Sequence, residues 1–80
     1  MGMNVRTRDF YVRNVAEEAM TEFGLSDFEA VKEFITSQTY AMLTDERLNM
    51  NEFSPLAIFD IWKSERETGD PRRSVYIAGE

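Results

Sequence analysis

Eighty residues, 42% hydrophobic and 30% charged, describe a single folded domain over 1–80, since chains this short rarely divide and disordered chains are poorer in apolar residues. The sequence contains no Cys and no His, which removes disulfides, thiolate ligands and the commonest metal ligand and general base. The net charge of −6 opposes binding to a polyanion, and it is unevenly placed: residues 1–16 carry +2, residues 17–60 carry −8, and the rest is neutral. The chain therefore has a basic head and an acidic waist.

From Val5 to Phe23 the residues Val5, Val12, Val15, Ala16, Ala19, Met20 and Phe23 recur at a helical period, opposite Arg13, Asn14, Glu17, Glu18, Thr21 and Glu22. Phe10 and Tyr11 fall towards the edges of this stripe, so at least one is expected to be half exposed. Arg6 and Arg8 stand at the end where the helix dipole disfavours cations, which argues for a start later than Val5. Gly24 is placed to end the helix in the left-handed conformation, and Ser26 to Glu29 follows as a capping box, with Leu25 and Ala30 as a hydrophobic staple. A helical hairpin results.

The second helix is predicted to start at Asp27, with Phe28, Val31, Phe34 and Ile35 inward and Glu29, Lys32 and Glu33 outward. The hydroxyl and amide side chains of Thr36-Ser37-Gln38-Thr39 compete for backbone hydrogen bonds and break it. Ser37 then caps a short third helix carrying Tyr40, Met42 and Leu43. Residues 44–53 lack a period and read as a loop that dips Leu48, Met50 and Phe53 into the core. Ser54-Pro55 starts the last helix, which runs to about Thr68 and is stopped by Gly69 and Pro71.

On that last helix Leu56, Ile58, Phe59, Ile61 and Trp62 spread over more than half the circumference, against the roughly 100° arc that suits one buried face. From Lys63 to Glu67 it is polar all round and is expected to leave into water. Ser74 to Ala78 is the only segment with strand character. The expected fold is all-α: three main helices, a short extra one, and an irregular or strand-like tail that packs over the helices or pairs with another chain.

Candidate sites are few. A calcium loop starting at Asp45 would need oxygen donors, Gly and Glu where the sequence has Arg47, Asn49, Met50 and Leu56. Neighbouring carboxylates such as Glu17 and Glu18 do not face each other on a helix, and the serines have no conventional activating base. No catalysis, metal or cofactor is therefore expected. Arg72 and Arg73 are read as keeping the tail in water, and Arg6, Arg8 and Arg13 as pairing with the acidic waist, within the chain or across a dimer.

The wide apolar arc has two readings: the last helix is central, covered by the first helix on one side and by the loop and tail on the other, or it belongs to a protein-interface made by Tyr11, Ile58, Ile61, Trp62, Val75, Tyr76 and Ile77, joining two copies through the last helix and tail. An interaction role is the main functional reading. The alternative is an antitoxin-like inhibitor that binds a basic protein through the acidic waist. No nucleic acid and no membrane is expected as a partner, since no apolar run nears the roughly 20 residues of a span, and without a signal-peptide pattern the chain is expected to be cytoplasmic.

The stretches Ser37-Gln38-Thr39-Tyr40-Ala41-Met42-Leu43-Thr44-Asp45 and Phe53-Ser54-Pro55-Leu56-Ala57-Ile58-Phe59-Asp60-Ile61-Trp62 resemble those of small uncharacterised bacterial proteins of similar length. These share an S-x-T-Y-x-x-L-x-D pattern followed by S-P and an apolar helix. The resemblance covers residues 28–65 and implies a helical fold with no assigned activity. Such proteins occur beside small proteins suspected of toxin–antitoxin behaviour, so the resemblance also implies an interaction role. The tail after Glu67 departs from the pattern, as does the lack of a Gly before Ser54.

Overall fold

The computed structural model describes residues 4–74. It is all-α: α1 spans Val5–Phe23, α2 Asp27–Ile35, α3 Gln38–Leu43 and α4 Pro55–Thr68, with no strand among the described residues. Three short 3-10 turns, Glu46–Leu48, Met50–Glu52 and Pro71–Arg73, complete the chain. The expected strand-like character at 75–78 lies outside the described residues.

The helix starts follow from capping chemistry. Asn4 accepts a hydrogen bond from the Thr7 amide (2.9 Å), so α1 begins at Val5 and not later, because that cap outweighs the unfavourable dipole at Arg6 and Arg8. Ser26 and Glu29 form the reciprocal box (3.2 and 3.1 Å). Two bonds from Ser26, first that from its amide, hold the Glu29 carboxyl below its ordinary range. Gly24 and Gly69 end α1 and α4 with φ of 69° and 83°, a region costly for residues bearing a Cβ. Between residues 44 and 53 the loop turns at Asn49, whose left-handed φ of 52° separates two 3-10 turns.

One hydrophobic cluster joins Tyr11, Val15, Ala16 and Ala19 of α1, Ala30 and Phe34 of α2, Leu43, Met50, and Ile58, Phe59, Ile61 and Trp62 of α4. The indole of Trp62 is its centre, with ring centroids 5.7 Å from Phe23, 5.2 Å from Phe34 and 6.4 Å from Phe59. Tyr11 is buried and donates its hydroxyl to the Phe53 carbonyl, pinning the loop to α1, and burial pushes its phenol pKa up.

Two inward expectations fail on α2. Phe28 and Ile35 are exposed, because the buried line runs through Ala30 and Phe34, four residues apart on one face. Small Ala30, Ala16 and Ala19 allow the hairpin backbones to approach closely, and that approach turns the larger side chains outward. Leu48 is likewise exposed, whereas Met50 is buried and Phe53 half-buried.

The second half of α4 does not simply leave into water. Glu65 accepts from the Gln38 amide (3.0 Å), the Thr39 amide (2.9 Å) and the Thr39 hydroxyl (2.7 Å), tying the start of α3 to α4. Arg66 pairs with Glu33 and lies 4.3 Å over the Phe23 ring, while Lys63 approaches Glu22 at 3.4 Å. These contacts brace α4 against α1, α2 and α3.

Candidate interaction surface

The apolar residues of α4 that were expected to meet a partner are covered by the chain itself. Ile58, Ile61 and Trp62 are fully buried and Tyr11 is buried, all within the same cluster. On α4 one side packs against α1 and α3, and the other receives the turn Pro71–Arg73, where Pro71 and Ser74 are buried and the Ser74 hydroxyl donates to Asp60 (2.9 Å). The wide arc thus fits the central-helix reading, with these four side chains buried within the described chain. Val75, Tyr76 and Ile77 lie outside the described residues.

Most of the outward large apolar groups lie on the α1–α2 hairpin, with Leu48 and Leu56 outside it. Phe28 is 73% exposed, Phe10 54% and Ile35 44%. Phe28, Val31 and Ile35 stand three and four residues apart, on one stripe of α2. Val31 also lines a groove of about 340 Å³ between the helices, together with Val12 and Ala16 and the charged Asp9, Arg13, Glu17 and Asp27. A second shallow hollow, lined by Arg6, Asp9, Phe10, Arg13 and Asn14, adjoins it through the shared Asp9 and Arg13. The two hollows therefore form one outer face of the hairpin.

Among the described residues, Arg6, Arg8 and Arg13 form no ion pair, so the pairing of the basic head with the acidic waist does not occur within the described chain. The waist is partly engaged elsewhere: Glu22 with Lys63, Glu33 with Arg66, and Asp45 with Arg47 (2.8 Å). At Asp45, hydrogen bonds from the Arg47 guanidinium and amide lower the carboxyl pKa, and the same contact raises that of Arg47. No group of three or more metal-ligating side chains occurs among the described residues. No described helix is long and apolar enough to cross a membrane.

Neither a family model, nor a curated protein, nor a solved structure matches this chain. The motif resemblance in residues 28–65 rests on the quoted residues alone. Of these, Ser37 and Ser54 act as helix N-caps and Thr39 as the buried partner of Glu65, all structural positions.

The hairpin face escaped the sequence reading because helical periodicity ranks residues by size and hydropathy. It assigned Phe28 and Ile35 to the core, where the chain uses Ala30. The available signal was the run of small residues Ala16, Ala19 and Ala30, which marks where two helices can approach most closely.

Proposed function

We propose that this protein is a non-catalytic protein-interaction module whose contact surface is the outer face of the α1–α2 hairpin. The observation that supports this reading is exposed Phe10 in one hollow of the hairpin and exposed Phe28 and Ile35 on the α2 stripe of Val31, which lines the adjoining groove, while the large apolar residues of α4 beyond Leu56 are engaged in the core. Exposed aromatic groups rimmed by charge are typical anchors of protein contacts. The waist carboxylates Glu17 and Asp27 lie on the same groove, so a basic protein partner is the second reading.

The test is the double substitution Phe10→Ser with Phe28→Ser. Both side chains are exposed, so the helical circular dichroism should be unchanged. Sedimentation equilibrium from micromolar to millimolar concentration should show association of the native chain and its loss in the variant. A native chain that associates equally well with both aromatics removed would refute the hairpin as the contact surface.

A further inference from the structure

We infer that the outer face of α1 is a self-complementary contact that binds a second copy of this chain with the two α1 helices antiparallel. This inference rests on the hairpin reading above and names its partner. Along α1 the exposed side chains on this side are Arg6, Asp9, Phe10, Arg13 and Glu17, with half-buried Asn14 beside them. They cover three helical turns, about 16 Å at roughly 1.5 Å per residue.

A two-fold axis at the level between Tyr11 and Val12 sets this stripe against its own copy. It places Arg6 opposite Glu17 of the second copy and Phe10 opposite Arg13. Each facing pair is chemically matched: a cation meets a carboxylate, and a guanidinium meets an aromatic face. A two-fold contact is isologous, so each match occurs twice.

Other occupants fit less well. A polyanion would meet Asp9 and Glu17 on a chain of net charge −6. A basic peptide lying along the same strip would meet Arg6 and Arg13. A second copy, reversed, matches both signs. The guanidiniums of Arg6 and Arg13 have no ion pair among the described residues, so dimerisation breaks no ion pair of theirs there. Three turns of one helix is a small contact, so the dimer is of the weak class that buries less than about 1,200 Å² and depends on salt.

Charge reversal provides the test, read by sedimentation equilibrium on the full chain. Arg6→Glu places Glu against Glu17 of the second copy, and Glu17→Arg places Arg against Arg6. Each variant alone should dimerise about tenfold or more weakly than the native chain, since both symmetric pairs become repulsive. Mixed in equal amounts, the two variants should recover association as a heterodimer, because both cross-pairs become opposite in sign. Combining the two substitutions in one chain should also restore the dimer.

If the native chain dimerises and the Phe10→Ser, Phe28→Ser double variant does not, while the mixed charge variants stay apart, the antiparallel register is wrong and the hairpin reading survives. A native chain that is monomeric at every concentration and salt overturns the second copy as partner. In that case, salt-sensitive binding of a lysine-rich amphipathic peptide that is lost on Phe28→Ser would still support the hairpin as a contact surface.

Discussion

Glu65 offers the sharpest check on how the helices are held together. Its carboxylate accepts three hydrogen bonds, two from the first amides of α3 and one from the fully buried Thr39 hydroxyl. Together with Ser37, which accepts from the Tyr40 amide (3.0 Å), it satisfies the orphan donors at the start of a helix only six residues long. Bonds to a charged acceptor contribute about 1.5–3 kcal/mol each when buried, but water can replace part of this at a half-buried site. Glu65→Ala should therefore cost about 2–3 kcal/mol, or roughly 10–20 °C in Tm for a domain of this size. Glu65→Gln should cost about half as much, because one oxygen still serves Thr39 while the new amide faces the Gln38 N–H donor to donor. Trp62 is the only Trp and sits in the core, so urea unfolding followed by its fluorescence reports directly on this packing. The exposed neighbour Glu67→Ala is the control, expected within about 0.5 kcal/mol of native. Equal stability of the Glu65 and Glu67 alanine variants would refute the proposed clamp.

Three further outcomes follow from the packing and the caps. Ile61→Ala should destabilise by about 2–5 kcal/mol in the same urea assay, since the side chain is fully buried at the centre of the cluster. Gly24→Ala should cost about 1–2 kcal/mol through backbone strain alone, because a Cβ there meets open space and only the positive φ is unfavourable. Glu29 should titrate below an ordinary glutamate in an NMR pH series, owing to the bonds from Ser26. Because its folded pKa is lowered, its stabilising effect is present above the unfolded pKa and is lost as pH falls through the folded one. Ser26→Ala should return the Glu29 titration towards its ordinary value.

Where punctuation residues decided the outcome, the fold was legible in the sequence. The Ser26 box, the Ser37 and Ser54 caps, Pro55, Gly24 and Gly69 all stand where their backbone chemistry placed them. The second face of α4 was seen as a question, and tertiary packing answered it: α1 and α3 cover one side and the turn at Pro71 the other. Less legible was anything set by distance between helices. Glu65 lay in a segment that looks solvated, and only the approach of α3 to α4 reveals its three partners. Phe28 was misplaced for the related reason that close packing selected Ala30. The candidate surface was hidden with it, and so was the state of Arg6 and Arg13, which were read as pairing with the acidic waist but form no ion pair among the described residues.

A dilution series of amide ¹⁵N–¹H NMR spectra on the native chain tests the central claim most directly, since it reports which face meets a partner without altering any residue. The account predicts concentration-dependent shifts confined to Arg6–Glu17 of α1 and Phe28–Ile35 of α2, weakened by salt, with the amides of Ile58, Ile61 and Trp62 unmoved. Shifts centred on α4, or an association that leaves the hairpin amides unchanged, would contradict it.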